Sequence, residues 1–148
     1  MEIFRVEKLN FAYPNYKLNL KTKDDMFALK DISFSLSEGE FATLCGKSGC
    51  GKTTLLRQFK SALTPSGYRS GDILYCGKPL GELDLLTQTA EIGYVMQRPD
   101  SQIVTDKVWH ELAFGLESLG YGSDEIRRRV SEMASFFGLQ SWFYRETN

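Results

Sequence analysis

Nothing in this 148-residue sequence is long and apolar enough to span a bilayer; no run approaches the roughly 20 consecutive apolar residues a transmembrane helix needs. The opening, Met1-Glu2-Ile3-Phe4-Arg5, has no basic stretch followed by an apolar one, so no signal peptide is read there. A membrane role would have to pass through a partner, with no direct bilayer insertion. Charge of one sign is lacking too. With 18 Lys+Arg against 19 Asp+Glu the net charge is −1, which leaves no overall field to attract nucleic acid or anionic lipid. The one dense basic run, Arg127-Arg128-Arg129, reads as the solvated face of a helix. Cysteine is scarce: Cys45, Cys50 and Cys76 are odd in number and lack CxxC spacing. That argues against a disulfide framework or a zinc site and suits reduced thiols in a cytosolic protein. His110 is the only histidine. It has no companions for a metal site and is assigned a packing or surface role. There is no internal repeat and no low-complexity segment. What remains is an ordinary globular composition, 42% hydrophobic and 25% charged, of about one domain's length.

Periodicity sketches the elements. Residues 2–13 are rich in β-formers and read as strand, Pro14-Asn15 as a turn and 17–25 as a polar loop. Ile32, Phe34 and Leu36 alternate with serines, the mark of a strand with one wet face. Phe41-Ala42-Thr43-Leu44-Cys45 is almost wholly apolar and predicts a strand buried on both faces. Leu55, Leu56, Phe59 and Leu63 follow at helical spacing, ending before Pro65. Residues 71–80 read as a hairpin and 91–96 as another strand. Val108, Leu112, Leu116 and Leu119 predict one amphipathic helix, core-packed or partner-facing, stopped by Gly120. Ile126, Val130, Met133 and Phe137 predict a second, capped by Ser123 and stopped by Gly138.

Gly46-Lys47-Ser48-Gly49-Cys50-Gly51-Lys52-Thr53 fits GxxxxGK[ST] at every fixed position, between a predicted strand and a predicted helix. The spacing has a chemical reason. Glycines let the backbone wrap a phosphate with no Cβ in the way, and successive amides then point inward as an anion-binding nest. Lys52 brings a point charge to the β- and γ-phosphates, and the Thr53 hydroxyl can ligate Mg²⁺. Residues Gly46 to Thr54 are therefore the candidate site for a nucleoside triphosphate, ATP with Mg²⁺. Cys50 is a small residue whose amide serves the loop; a redox role is the alternative reading.

The order of motifs resembles the ATP-binding subunit of ABC transporters. Phe11-Ala12-Tyr13-Pro14 is similar to the family's aromatic loop, which implies that Tyr13 stacks on adenine. Residues 28–40 resemble the strand pair leading into Walker A. Ser70-Gly71-Asp72-Ile73 with Gly77-Lys78-Pro79-Leu80 resembles the family's antiparallel subdomain. Ile92-Gly93-Tyr94-Val95-Met96-Gln97 resembles the strand ending in the Q-loop, which implies that Gln97 reaches Mg²⁺ and the attacking water. The stretch from Gln97 to Glu117 resembles the energy-coupling-factor and cobalt-type importers of vitamins or metal ions.

The resemblance implies an α/β fold: a P-loop (RecA-like) core with an N-terminal antiparallel β subdomain and the start of a helical subdomain. Residues 1–97 would hold the β subdomain and P-loop core, and 98–148 the Q-loop and the beginning of the helical subdomain. Catalytic roles fall to Lys52 and Gln97, and metal contacts to Thr53 and Gln97. The implied partners are a second ATP-binding subunit and an integral membrane transport subunit at the cytoplasmic face of the membrane, with the 106–119 helix facing the latter. The family's signature motif, Walker B aspartate and switch histidine have no counterpart in these residues. The expectation is an incomplete fold that binds ATP without hydrolysing it and leaves unpaired strand edges. A non-transport ABC ATPase, a P-loop kinase and a non-hydrolysing nucleotide-binding fragment are the alternatives.

Overall fold

The computed structural model describes residues 1–14 and 27–147. The loop expected at 17–25 lies outside them, as does Asn15 of the expected turn. The chain forms two compact units, Met1–Ile92 and Gly93–Asn148.

The first unit is organised around a four-stranded antiparallel sheet. Its strands are β1 (Glu2–Ala12), β2 (Leu29–Ser37), β3 (Tyr68–Tyr75) and β4 (Lys78–Pro79), in the order β2-β1-β3-β4. In β2 the sequence alternation is realised: Ile32, Phe34 and Leu36 are half-buried between exposed neighbours. β1 departs from strict alternation. Val6 and Leu9 both point into the core although three residues apart, and pairing shifts register there against β2 and β3. A bulge at Lys8, φ +47, re-phases the strand so that Leu9 and Phe11 continue inward. Side chains satisfy the bulge. Lys8 N–H donates to Ser33 Oγ at 2.9 Å, and Asn10 Nδ2 donates to Lys8 O at 2.8 Å. Opposite it sits Gly71 at φ +84, where an added Cβ would lie 2.3 Å from Lys8 O. Only glycine fits that crossing.

The core gathers Val6, Leu9, Phe11, Leu29, Leu55, Ile73, Leu80 and Ile92. Helix α1 (Lys52–Arg57) is shorter than the apolar spacing predicted. Leu55 is buried but Leu56 is exposed, and a separate 3₁₀ turn holds Ser61–Leu63. Helix α2 (Leu85–Glu91) was not expected from the sequence. Asp84 starts it by accepting from Thr87 N at 2.9 Å, a cap of the ordinary kind.

Two expected strands are not formed. Phe41–Cys45 is exposed, with Phe41 at 93% and Leu44 at 45%, and 92–96 follows directly on α2 without a strand partner among the described residues. Both segments are apolar as read; what they lack is a neighbouring strand to accept and supply backbone hydrogen bonds.

The second unit is a helical hairpin, α3 (Val108–Ser118) and α4 (Ser123–Phe136). The buried stripe matches the expected one at Val130 and otherwise differs. Ala113, Val130 and Ala134 are buried, whereas Met133 and Phe137 are exposed and Val108, Leu112, Leu116 and Leu119 only half-buried. Ser123 is the first helical residue rather than the cap, which is Gly122. After α4 the chain returns to the start of α3. There Val108 N–H donates to Arg145 O at 3.1 Å and Trp109 N–H to Phe143 O at 3.0 Å, satisfying donors that the helix itself leaves open.

Candidate nucleotide site

The phosphate loop is built on two glycines with left-handed backbone, Gly49 at φ +79 and Gly51 at φ +94. Gly51 immediately precedes α1 and presses on the start of β2, so that a Cβ there would lie 2.6 Å from Ala28 O. Any other residue would strain the backbone and push the loop off the sheet. Cys50 N–H donates to Lys47 O at 3.3 Å, and Leu55 N–H donates to Gly51 O at 2.8 Å to open the helix. No side chain caps the N-terminus of α1, and no acidic residue lies in its first turn. Its leading N–H groups are left for another acceptor.

Lys52 gives the loop its shape. Its Nζ donates to Gly46 O and to Lys47 O, both at 2.8 Å, and lies 3.7 Å from Cys50 Sγ. The ammonium thus ties together the two ends of the Gly46–Lys52 turn. The remaining candidates divide by exposure. Gly46, Lys47, Ser48, Gly49, Cys50 and Thr53 are exposed, whereas Thr54 is buried. Tyr13 directly follows β1, with its ring edge-on to Phe11, centroids 4.9 Å apart, and its hydroxyl 3.0 Å from Thr54 Oγ1. All of these belong to the first unit.

Gln97 belongs to the second unit, in an exposed turn before the 3₁₀ segment Pro99–Gln102. The turn is closed by a residue that the sequence reading passed over. Gln102 donates through Nε2 to Tyr94 O at 3.2 Å and accepts from Met96 N–H at 2.7 Å. One side-chain amide thereby does what the edge of a strand does, pairing with residues two apart on one backbone. Glu111 was passed over as well. Its Oε2 accepts from Val104 N–H at 3.1 Å, Thr105 N–H at 2.9 Å and the Thr105 hydroxyl at 2.9 Å. Partial burial pushes this carboxyl up, but the bonds from Thr105 and Val104 outweigh it and leave the pKa below the ordinary value. Neither residue carries a periodic signal; a glutamine or glutamate just past a turn is the only cue.

The basic run is a solvated helix face. Arg128 bonds Glu125 and Glu132, each at 2.7 Å, and Arg129 bonds Glu125 at 2.6 Å. The hydrogen bonds from Arg128 and then Arg129 draw the Glu125 carboxyl down to about 2. Among the described residues no helix is long and apolar enough to cross a membrane.

Comparison with known proteins bears on the family and the fold. The family model described as ABC transporter matches residues 29–147. A protein of Bacillus thuringiensis subsp. konkukian, named as an ABC transporter ATP-binding protein, is 41% identical over 143 residues, covering 97% of this chain and 24% of its own length. An energy-coupling factor transporter ATP-binding protein of Lacticaseibacillus paracasei is 34% identical over 144 residues, covering 97% of this chain and 48% of its own. The chain therefore spans less than half the length of these relatives. The solved post-hydrolysis dimer of the ATP-binding cassette MJ0796, bound to ADP and Pi, matches with a TM-score of 0.74 at 19% identity, over 99% of this chain and 62% of that one. That likeness fixes the fold as the α/β fold of the P-loop ATP-binding cassettes, here an N-terminal part of it. By family match and by fold, the chain belongs to the ATP-binding domains of the ABC transporter family.

Proposed function

We propose that residues Gly46 to Thr54 hold the phosphates of Mg-ATP, with Lys52 as the neutralising charge. The observation that carries this reading is the Lys52 ammonium, held at 2.8 Å from two loop carbonyls beside the left-handed Gly51. A point charge fixed within a glycine-rich backbone nest suits a polyphosphate. The residues also fit Mg²⁺. Thr53 offers an exposed hydroxyl, and no group of three or more His, Cys, Asp or Glu able to hold a metal occurs among the described residues. A hard cation would be held by one hydroxyl together with phosphate oxygens and water, the usual way Mg²⁺ is bound beside a nucleotide. Tyr13 is the candidate adenine platform. Gln97 is the candidate second contact for Mg²⁺ and for the attacking water.

In the longer protein this face would couple ATP binding and hydrolysis to import of a vitamin or metal ion, cobalt among the candidates. It would do so at the cytoplasmic side of a membrane, with a second ATP-binding subunit and an integral membrane subunit. Identity to energy-coupling factor transporter ATPases over 97% of this chain supports that placement. Residues 1–148 by themselves are expected to bind ATP without turning it over, since no Walker B carboxylate is found in them.

The test is calorimetric titration of the 148-residue chain with Mg-ATP. Saturable binding is expected in the wild type, and Lys52→Ala should weaken it by about 10- to 100-fold, the worth of a hydrogen bond to a charged group. Equal binding by both proteins, or no saturation in the wild type, would overturn the assignment.

A further inference from the structure

Building on the nucleotide reading of the loop, we infer that Tyr13 positions the phosphate loop through its hydroxyl, in addition to any stacking by its ring. Among the described residues the loop's upstream segment is not paired to the sheet. Phe41–Cys45 is exposed and makes no backbone hydrogen bond to the sheet among the described residues. The Lys52 bonds are internal to the loop. On its downstream side the loop runs into α1, whose Leu55 packs in the core of the sheet, and two further contacts tie the loop itself to the sheet. One is the close approach of Gly51 to Ala28. The other is the 3.0 Å bond between the Tyr13 hydroxyl and Thr54 Oγ1, the only hydrogen bond between α1 and the β-sheet region among the described residues.

Both ends of that bond are held. Ala28 N–H donates to Phe11 O at 2.7 Å, fixing the end of β1, and Phe11 packs edge-on against the Tyr13 ring. Thr54 is only 9% exposed, so its hydroxyl needs a protein partner. Each hydroxyl has one hydrogen to donate. When Tyr13 donates to Thr54, the Thr54 hydrogen is available to an anionic oxygen, and the two bonds in series polarise one another. An anion in the loop would favour that direction. Tyr13 thus links the residue proposed to meet the base with a residue proposed to meet the phosphates, 41 positions apart.

Tyr13→Phe keeps the ring and removes the bond, so it separates the two roles. Binding of Mg-ATP and of Mg-tripolyphosphate, which has no base, is measured for the wild type, Tyr13→Phe, Thr54→Val and the double variant. Tyr13→Phe should weaken both ligands by the same factor, about three- to tenfold for one neutral hydrogen bond. It should have no further effect on the Thr54→Val background, and a Thr54→Ser background should restore its effect. Amide hydrogen exchange should rise at residues 50–55 and stay unchanged in β1, β2 and β3. Unaltered tripolyphosphate binding by Tyr13→Phe would overturn the inference and leave only a base-stacking role. A general loss of protection across the sheet would overturn it too, by showing a merely structural residue. If the wild type binds neither ligand, the nucleotide reading itself fails and the inference falls with it.

Discussion

The antiparallel sheet and the segment leading into the phosphate loop contain the same kind of residue and meet opposite fates. Phe11 lies in β1 at 1% exposure, whereas Phe41, in a segment at least as apolar, is 93% exposed. The difference is in the partners. β1 has a hydrogen-bonded neighbour on each side, β2 and β3. Residues 41–45 have none among the described residues. Apolar character and β-propensity make a segment able to be a strand, but the unpaired backbone must also be satisfied before it can be buried. The pattern of a strand is local; the strand itself is a property of at least two segments.

One substitution made in both places should give the largest contrast. Phe11→Ala is expected to cost about 3–5 kcal/mol of unfolding free energy, the range for truncating a buried phenylalanine. Phe41→Ala should change stability by no more than about 0.5 kcal/mol, as for an exposed position. Urea unfolding of the 148-residue chain gives both values. Phe41→Asp should in addition reduce self-association in sedimentation velocity, because an exposed apolar strand segment is a site for edge pairing. A loss of more than about 2 kcal/mol in Phe41→Ala would break the comparison by showing that this segment is packed.

Two buried glutamines draw the same contrast for polar groups. Gln88 is 2% exposed and fully engaged. Its Nε2 donates to Leu80 O at 3.1 Å and Leu83 O at 2.9 Å, and its Oε1 accepts from Ser61 N–H at 3.0 Å. Gln58 is 0% exposed, and neither of its side-chain polar atoms has a hydrogen-bond partner among the described residues. Gln88→Leu takes the partner from Leu83 O and Ser61 N–H, leaves Leu80 O only its bond from Leu83 N–H, and should cost about 1–3 kcal/mol. Gln58→Leu removes an unsatisfied amide from the core and should be neutral or stabilising by up to about 2 kcal/mol. Thermal unfolding that ranks the two variants the other way would refute the assignment of partners.

These contrasts show what could be read in the sequence. The glycine-rich loop was legible because its fixed residues are contiguous, and each has its own chemical reason. β2 was legible because its period of two is local. The bulge at Lys8 was not, since it shows only when Val6 and Leu9 must share one face. Helix α2 was missed because its cap at Asp84 is a single residue before a short, mostly polar stretch. The stripe on α4 was right at Val130 and, half-buried, at Ile126, and wrong at its C-terminal end. Met133 and Phe137 satisfy the spacing but are exposed, and the small Ala134 is buried instead. The link from Tyr13 to Thr54 spans 41 positions, and no local pattern announces it.

The smallest expected effect concerns how a segment without a strand neighbour is partly satisfied. Tyr94 and Met96 are two apart, so their backbone groups project to the same side of an extended chain. Gln102 meets both, offering its N–H to one carbonyl and its carbonyl to one N–H. A strand would offer the same two groups, but with a whole ladder behind them. Gln102→Ala should remove this substitute and raise hydrogen–deuterium exchange at the Met96 amide about tenfold, the equivalent of one hydrogen bond of roughly 1.4 kcal/mol. Exchange within α3 and α4 should not change, since their backbone bonds are made elsewhere. Gln102→Glu sharpens the test. A carboxylate still accepts from Met96 N–H but has no hydrogen to donate to Tyr94 O, so protection at Met96 should survive while the carbonyl side is lost. If Met96 exchanges as fast in the wild type as in Gln102→Ala, the side chain is not standing in for a strand, and the segment is as open as Phe41–Cys45.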